Sequence, residues 1–196
     1  MDTCLCMGGS ITIGSGLAAA EPERPHVAFI GDSTFFHTGI CGLLNAVYNN
    51  ANITIVVLDN RTTAMTGHQP HPGLGLRADG SQGPEIDIIA LAKAAGVKFV
   101  REVDPYDFEA SLEVAKEALA FQGPAVVVMK RQCVVIAQKN PPLIVDPALC
   151  INCQACVKQL GCPAIYIDQG IKIAQNCNGC NLCAQICPQH AIREAI

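Results

Sequence analysis

The chain has 196 residues and a formal net charge of −4, with half of its residues apolar and 15% charged. This composition excludes a disordered protein, because the chain holds enough apolar residues to build a buried core. The acidic excess lies in residues 1–142, which hold 10 Lys and Arg against 14 Asp and Glu, whereas residues 143–196 hold three of each kind. With no basic patch, no Trp and few other aromatic residues, nucleic acid is not expected as a partner.

Neither a targeting signal nor a membrane span is recognisable in the sequence. The N-terminus does not begin with a charged region followed by an apolar stretch, and no apolar run approaches the roughly 20 residues of a membrane-spanning helix. We therefore expect a soluble, cytoplasmic protein with no membrane partner. In a reducing compartment its 12 cysteines would stay free of disulfides and available to metals.

Short β-branched runs alternate with Ala- and Leu-rich segments over the first two-thirds of the chain. The predicted strands, each short and continuously apolar, are 27–30, 53–58, 97–100 and 125–129. The predicted helices are 11–20, 34–48, 86–95 and 107–121. A start signal precedes the last one, with Asp104 placed to cap the helix and Pro105 at the first helical position. This alternation predicts an α/β fold, a parallel sheet with helices on both faces, in which ligands bind at the carboxyl ends of the strands.

Two segments interrupt this alternation. Residues 59–84 are rich in Gly, Pro, Thr and His and are too long for an ordinary strand-to-helix connection, so we expect a functional loop there. Residues 139–142, KNPP, can continue neither a helix nor a sheet and are interpreted as a linker. The predicted domains are therefore residues 1–138 and 143–196, and the second contains an internal repeat that starts at Cys150 and again at Cys177.

Eight of the 12 cysteines lie in the last 47 residues, in two similar runs. Their spacings are C-x2-C-x2-C-x5-C-P from Cys150 and C-x2-C-x2-C-x3-C-P from Cys177. These runs resemble the cluster-binding run of bacterial ferredoxins, in which the fourth cysteine of each run binds the other cluster. The resemblance implies a small ferredoxin-like α+β domain with two [4Fe-4S] clusters. One cluster would be held by Cys150, Cys153, Cys156 and Cys187, and the other by Cys162, Cys177, Cys180 and Cys183.

A pair of Cys4 zinc sites is the alternative, since zinc sites also use C-x2-C pairs. Zinc sites, however, separate such pairs by longer spacers, so triplets followed by Cys-Pro favour iron-sulfur clusters and one-electron transfer. The x5 spacing before Cys162 is longer than the usual x3 and predicts an altered first loop. Cys41 and Cys133 are expected to be buried and inert, and Cys4 and Cys6 to pack or to line a cofactor pocket.

A strand-to-helix turn near residue 31 carries a second group of candidate site residues. Gly31, Asp32 and Ser33 follow a predicted strand and precede a predicted helix, where free backbone N–H groups and the helix dipole favour an anion. Asn60 lies 28 residues after Asp32, at the tip of the next predicted strand. Hard oxygen ligands at neighbouring strand tips can share Mg²⁺ with phosphate oxygens, so the pattern predicts a diphosphate and magnesium site.

These residues resemble the thiamine diphosphate motif of the 2-oxoacid:ferredoxin oxidoreductases. The motif of this family consists of GDG or GDS followed later in the chain by NN or DN. In this chain GDS is followed after 26 residues by Asn60, which Asp59 precedes and RTTAMTG follows. The opening CLCMGGSITIGSG is similar to the family's Met-Gly-small-Ser-Ile stretch. The match extends over essentially the whole chain.

The resemblance assigns roles to individual residues. It implies that the side chains of Asp32 and Asn60 and the backbone carbonyl of Thr62 bind Mg²⁺, which bridges to the cofactor's diphosphate. Gly31 and Ser33 would contact the diphosphate itself. The residues that would lie along the cofactor are Met65, Thr66 and Gly67.

The order of the two modules is similar to that of the large subunits in the indolepyruvate branch of this family. The resemblance implies oxidative decarboxylation of an aryl-2-oxoacid, with coenzyme A taking the acyl group and electrons passing through two clusters to external ferredoxin. It also implies a smaller β subunit and a pyrimidine-binding portion, because several hundred residues precede this region in the family. We expect the chain to be catalytic only together with these partners.

Other functions stay open at this point. A stand-alone electron-carrier protein with a non-functional thiamine fold would keep the clusters and fail to bind thiamine diphosphate, whereas a related pyruvate or 2-oxoglutarate ferredoxin oxidoreductase subunit would share every motif. The catalytic residues are not determined. His37 and His68 are candidates for proton transfer near pH 7, His71 lies in the same region, and Arg77 is a candidate partner for a substrate carboxylate.

Overall fold

The computed structural model describes residues 2–194, and the contacts among them divide the chain into two compact units. The first unit runs to Pro105 and resumes over Glu109–Cys133; the second comprises Tyr106–Phe108 and the chain from Val134 onward. Residues 139–142 carry neither helix nor strand and fall inside the second unit. Their role as a linker stays a prediction.

A four-stranded parallel sheet forms the centre of the first unit, as the alternating pattern predicts. Its strands are β1 (Val27–Gly31), β2 (Thr54–Asp59), β3 (Phe99–Val103) and β4 (Ala125–Lys130). They lie in the order β1-β2-β4-β3, with every neighbouring pair parallel. Strand β3 begins later than predicted because the Val97 N–H still donates to Ala92 O at the end of the preceding helix.

Helices lie before and between these strands in the chain. They are α1 (Ser10–Ala20), α2 (Asp32–Thr34), α3 (Ile40–Tyr48), α4 (Ile88–Ala94) and α5 (Phe108–Ala120). A π-helical turn, Phe35–Gly39, joins α2 to α3, so the predicted helix 34–48 is continuous but locally widened. Among the described residues, no helix is both long and apolar enough to cross a membrane.

The predicted start of α5 is wrong. The helix begins at Phe108, so Pro105 precedes it in a turn and Asp104 does not cap it. The side chain of Asp104 instead accepts a hydrogen bond from Arg131 Nη1, and its carbonyl accepts one from Ser111 Oγ at 3.2 Å. These contacts hold Asp104 at the end of β3, and the helix therefore starts at a later residue.

Both faces of the sheet are buried. Ile55 and Val57 of β2 pack in one core cluster with residues of α1, α3 and α4, including Ile11 and Leu43. Val127 of β4 belongs to a second cluster, with Phe99, Ala118 and Ala125. Because side chains alternate along a strand, the two clusters lie on opposite faces of the sheet. Each fully buried Val or Ile side chain stabilises the fold by about 1.5–3 kcal/mol.

The second unit has the predicted small α+β fold. Strand β5 (Leu143–Val145) pairs antiparallel with β8 (Ile192–Glu194), and β6 (Ile165–Ile167) forms a hairpin with β7 (Ile171–Ile173). The helices are α6 (Ala155–Leu160) and α7 (Leu182–Gln185). The buried members of its hydrophobic cluster are Leu143, Cys156, Ile165, Ile171, Cys183 and Ile192. Two members of this small core are therefore predicted cluster ligands.

The internal repeat is visible in the backbone of the two cysteine loops. Asn152 and Gln154 in the first loop, and Gly179 and Asn181 in the second, occupy equivalent positions and all have positive φ. Helix α6 has six residues and α7 has four. The x5 spacing thus gives a longer helix around the third cysteine and a left-handed Gly161 before Cys162, where the second run has Ile186 with φ of −91°. The first run is therefore altered between Cys156 and Cys162, and its backbone before Cys156 matches that of the second run.

Candidate cofactor sites

The first candidate site lies at the carboxyl ends of β1 and β2. These strands are neighbours, with Gly31 opposite Leu58 in the register. Asp32 begins α2 directly after β1, and Asn60 directly follows β2. The fold therefore brings these residues, 28 positions apart in the chain, to the same edge of the sheet, where parallel α/β folds bind ligands.

A cleft of about 740 Å³ opens at this edge. The predicted cofactor-binding residues that line it are Gly31, Asp32, Ser33, Asn60, Thr62 and Met65. Cys4 and Cys6 also line the cleft, as one of their two interpretations proposed. Thr66 and Gly67 are not among its described lining residues, and Thr66 Oγ1 instead donates to Gln69 Oε1 at 2.7 Å. Contact of these two residues with a cofactor stays a prediction.

Hydrogen bonds order the two strand tips and join them. The Ser33 N–H donates to Asp32 Oδ1 at 2.7 Å, and the Thr62 N–H donates to Asn60 Oδ1 at 3.1 Å. Thr63 Oγ1 donates to Ser33 Oγ at 2.9 Å, which connects the loop after β2 to the turn after β1. Each candidate metal-binding side chain is thus held by a backbone N–H of its own turn.

Two buried carboxylates make the electrostatics of this edge unusual. Asp32 is 2% exposed and Asp59 is 4% exposed. Burial and the adjacent Asp32 carboxylate raise the pKa of Asp59, against the N–H and guanidinium of Arg61. Burial also opposes ionisation of Asp32, yet hydrogen bonds from His71 and the Ser33 N–H hold the pKa of Asp32 below its usual value. Neighbouring buried carboxylates are a favourable environment for a cation.

The other candidate residues lie around this edge in different ways. His37 is exposed on the π-helical turn, and His68 is half-buried with a positive φ and a buried Nδ1 that has no hydrogen-bond partner among the described residues. Neither lines the cleft, so their proton-transfer role stays a prediction. His71 is buried against Asp32, and Arg77 Nη1 donates to Ser81 Oγ within its own loop.

The second candidate site is formed by the eight cysteines of the second unit. Burial raises the pKa of the Cys156 thiol, and the neighbouring thiols that add to the shift are Cys187, Cys150 and Cys153. Burial raises the pKa of Cys183 to about 12, and the neighbouring thiols that add to it are Cys180, Cys177 and Cys162. The thiols that influence Cys156 and Cys183 are thus members of the two sets that the ferredoxin-type motif predicts, with Cys187 beside the first set and Cys162 beside the second. Among the described residues the thiols do not form closed metal-binding groups, so the assignment of these sets to two clusters stays a prediction.

The surroundings of these thiols fit iron-sulfur chemistry. All four cysteines of the first set line one cavity, together with apolar residues such as Val145 and Ile171. The Gly179 N–H donates to Cys177 Sγ at 3.4 Å, and the Ala191 N–H donates to Cys187 Sγ at 3.3 Å. Hydrogen bonds to sulfur and low solvent exposure are the features by which proteins set cluster potentials.

The prediction for the remaining cysteines is wrong for Cys41, which is exposed. Its position in the predicted helix does not distinguish the buried face from the solvent face at this residue. Cys133 is half-buried, and its N–H donates to Asn60 O at 2.9 Å. This backbone contact ties the end of the first unit to the loop that carries the candidate metal ligands.

Sequence reasoning missed two features of the first site. Asp59 was noted only as the residue before Asn60, and its burial beside Asp32 follows from its place as the last residue of a central strand. His71 was considered for contact with substrate, but it contacts Asp32 across 39 residues of sequence. The available signal was the pattern of a histidine before Pro-Gly in a long loop, which does not identify a partner.

Family models match both units. The thiamine pyrophosphate enzyme, C-terminal TPP binding domain, matches residues 1–129, and the 4Fe-4S binding domain matches residues 171–193. The chain therefore belongs to the thiamine pyrophosphate enzymes that carry this C-terminal cofactor-binding domain, and a 4Fe-4S motif follows that domain.

Two relatives show which kind of enzyme subunit the chain is similar to. The chain is 45% identical over 196 residues to the indolepyruvate oxidoreductase subunit IorA of Methanothermobacter thermautotrophicus, a match that covers 98% of this chain and 32% of the relative. It is 41% identical over 203 residues to IorA of Archaeoglobus fulgidus, covering 100% of this chain and 32% of the relative. The chain thus spans about a third of these relatives' length, and it fits a C-terminal portion of such a subunit.

A solved structure shows the same fold. The 2-oxoglutarate:ferredoxin oxidoreductase of Magnetococcus marinus, solved with 2-oxoglutarate, coenzyme A and succinyl-CoA bound, matches with a TM-score of 0.57 at 20% sequence identity. The match covers 67% of this chain and 47% of that one. At this identity the likeness supports the α/β architecture alone.

Proposed function

We propose that this chain is the cofactor-binding and electron-transfer part of a ferredoxin-linked oxidoreductase that acts on indolepyruvate or a similar aryl-2-oxoacid. The observation that carries the proposal is the combination, in one chain, of a cleft with buried carboxylates at a sheet edge and eight cysteines grouped in two sets. The relatives named as indolepyruvate oxidoreductase subunits match over nearly the whole chain, and so over both units.

Mg²⁺ fits the residues at the sheet edge. The side chains of Asp32 and Asn60 and the Thr62 carbonyl are hard oxygen donors at or beside the cleft, which is the ligand type that Mg²⁺ prefers. Asn60 Oδ1 accepts one hydrogen bond, from the Thr62 N–H, and keeps a second lone pair for a metal. A divalent cation here would also offset the charge of buried Asp32 and its neighbour Asp59, which burial alone disfavours.

Thiamine diphosphate would place its diphosphate against the turn after β1. The N-terminal end of the helical segment that begins at Asp32 offers backbone N–H groups and a favourable dipole to that diphosphate, and Gly31 and Ser33 lie at this end. Thr63 holds the Ser33 hydroxyl in place. When bound, thiamine diphosphate supplies the carbanion stabilisation that the loss of CO2 from a 2-oxoacid requires. The chain's own contribution is to bind, orient and neutralise the diphosphate end.

The two cysteine sets would hold two [4Fe-4S] clusters, one on Cys150, Cys153, Cys156 and Cys187 and the other on Cys162, Cys177, Cys180 and Cys183. In the proposed reaction the bond to the carboxylate breaks and CO2 leaves. When present, the clusters would supply single-electron transfer, by which the two electrons removed from the acyl carbon would reach external ferredoxin. Coenzyme A would take the acyl group as a thioester, and its thiol proton would go to solvent.

Further components are part of this proposal, because the chain spans about a third of its relatives' length. We expect a pyrimidine-binding portion to contact the other end of the cofactor and a smaller β subunit to complete the enzyme. The chain without them would bind the cofactor and carry clusters, but would not oxidise 2-oxoacids.

Cofactor binding by anaerobically purified protein tests the proposal. We expect iron and acid-labile sulfide, and calorimetry should detect thiamine diphosphate binding that depends on Mg²⁺. Asp32→Ala should abolish this binding, because it removes the carboxylate ligand, and should leave the visible absorption of the clusters unchanged. Glu23→Ala, which removes an exposed acidic side chain outside the cleft lining, is the matched control and should bind as the parent does.

Two results would contradict the proposal. Zinc in place of iron would remove the electron-transfer role. Clusters without thiamine diphosphate binding, even after the pyrimidine-binding portion is added, would identify a stand-alone electron carrier. With all components assembled, indolepyruvate-dependent reduction of ferredoxin is the expected activity.

A further inference from the structure

A buried histidine contacts the central candidate metal ligand. His71 and Asp32 are almost completely buried, with side chains 1% and 3% exposed, and His71 Nε2 lies 3.0 Å from Asp32 Oδ2. His71 is outside every role that the family resemblance assigns. Its contact with Asp32 therefore needs a separate explanation.

The hydrogen bonds of His71 define its tautomer. The Gly73 N–H donates to His71 Nδ1 at 3.2 Å, so Nδ1 acts as an acceptor and carries no proton. The ring proton is therefore on Nε2, which donates to Asp32 Oδ2. A neutral imidazole with this tautomer gives Asp32 one directed hydrogen bond.

Packing holds the ring in this orientation. Phe36 stacks on His71 with ring centroids 5.6 Å apart and planes at 27°. A Cβ at Gly73 would lie 2.7 Å from the Phe36 ring and 3.1 Å from His71 Cε1, so this close approach requires glycine. The ring of His71 is thus held by its stacking on Phe36 and by the hydrogen bond from the Gly73 N–H in the Pro72–Leu74 turn.

Both oxygens of Asp32 are consequently oriented. Oδ1 accepts from the Ser33 N–H and Oδ2 accepts from His71, while Asp32 itself lines the cleft. We propose that His71 is a positioning residue that orients the Asp32 carboxylate for the divalent cation of the cofactor site, an inference that rests on the proposed function. Hydrogen bonds to metal-binding carboxylates fix their orientation, and loss of such an outer partner typically weakens metal binding by about 10- to 100-fold.

Substitution of His71 tests this role through metal binding. Mn²⁺ replaces Mg²⁺ as the probe, in the full chain with its clusters intact and with thiamine diphosphate present, and electron paramagnetic resonance measures free and bound Mn²⁺. His71→Leu should weaken Mn²⁺ binding by about 10- to 100-fold and change the spectrum of the bound ion. His71→Gln, whose amide N–H can reach Asp32 in place of Nε2–H, should restore most of the affinity.

A packing control separates the hydrogen bond from the shape of the loop. Phe36→Leu removes the stacked ring but keeps the histidine and the hydrogen bond from the Gly73 N–H to its Nδ1, so it should weaken Mn²⁺ binding less than His71→Leu does. Thermal unfolding of each variant, followed by circular dichroism, checks that the first unit is folded.

The outcomes distinguish this inference from the proposed function. If the parent binds Mn²⁺ and His71→Leu binds it equally well, the positioning role is wrong and the cofactor site stands. The role is also wrong if folded His71→Gln is as weak as His71→Leu, or if Phe36→Leu is as weak, because packing then explains the effect. If the parent binds neither Mn²⁺ nor thiamine diphosphate, the proposed function fails and the inference fails with it.

Discussion

The two units of the chain differ in the size of the hydrophobic core that stabilises each of them. The first has a parallel sheet whose strands β2 and β4 are buried over most of their length, and its site lies at an edge of a core that is complete without a ligand. The second has strands of three residues and a small buried cluster that includes Cys156 and Cys183. We therefore expect the cofactor of the first unit to be an addition to the fold, and the clusters proposed for the second unit to be part of its core.

This contrast predicts the largest effect, which is the response to removing iron. Anaerobic chelation of the clusters should unfold the second unit, because its apolar core is too small to offset the loss of chain entropy without the iron-thiolate bonds. Hydrogen exchange measured by mass spectrometry should show protection lost over residues 143–194 and retained in β2 and β4.

Removal of Mg²⁺ alone is the matched control for that experiment. A mild chelator that leaves the clusters intact should release thiamine diphosphate without a loss of protection in either unit. Persistent protection of residues 143–194 in iron-free protein would show that the apolar residues suffice, and the contrast between the units would then be wrong.

Removing one cysteine ligand is expected to have a smaller effect on the protein than removing all of the iron. Cys183→Ser replaces a buried thiol of the second set and should reduce iron and sulfide by roughly half, since the other set of four cysteines is complete. Mg²⁺-dependent thiamine diphosphate binding by the first unit should not change.

Cys41→Ser is the control, because it makes the same substitution at an exposed cysteine of the first unit. It should leave the iron content at the parent value. A single cluster in the parent protein, or equal iron in parent and Cys183→Ser, would contradict the assignment of two sets.

The smallest predicted effect is a change in the free energy of unfolding when one glycine in each unit is replaced by alanine. Gly161 ends α6 with φ of 56° and open space around its Cβ position, so Gly161→Ala should destabilise the second unit by about 1–2 kcal/mol through backbone strain alone. Gly16 lies inside α1, also with open space, and Gly16→Ala should stabilise the first unit by about 0.5–1 kcal/mol. Thermal unfolding followed separately for each unit should show shifts of opposite sign. Shifts of the same sign would contradict the left-handed conformation at Gly161.

Prediction from sequence succeeded where a feature depends on neighbours along the chain. The strands β1, β2 and β4 follow from continuous β-branched runs. The iron-sulfur motif follows from cysteine spacing, and the 4Fe-4S binding domain matches residues 171–193, whereas the division of the eight cysteines between two clusters stays a prediction. The turn at Asp32 and its partner Asn60 also follow, since the tips of parallel neighbouring strands meet at one edge.

Prediction failed where competing contacts decide the outcome. The predicted cap Asp104 is engaged with Arg131, and helix α5 starts later. Cys41 is exposed, because an apolar helix does not by itself show which face meets the sheet.

The sequence by itself determined the fold class, the iron-sulfur motif and the two strand tips that carry Asp32 and Asn60, because periodicity, turn chemistry and ligand spacing are local properties of a chain. Only the tertiary structure decided that Asp59 is buried beside Asp32 and that His71, 39 residues away, donates to that carboxylate. Contacts of this kind depend on how a long loop folds back over a sheet edge. Phe36 and Gly73 pack closely around the imidazole, and no spacing rule encodes this contact.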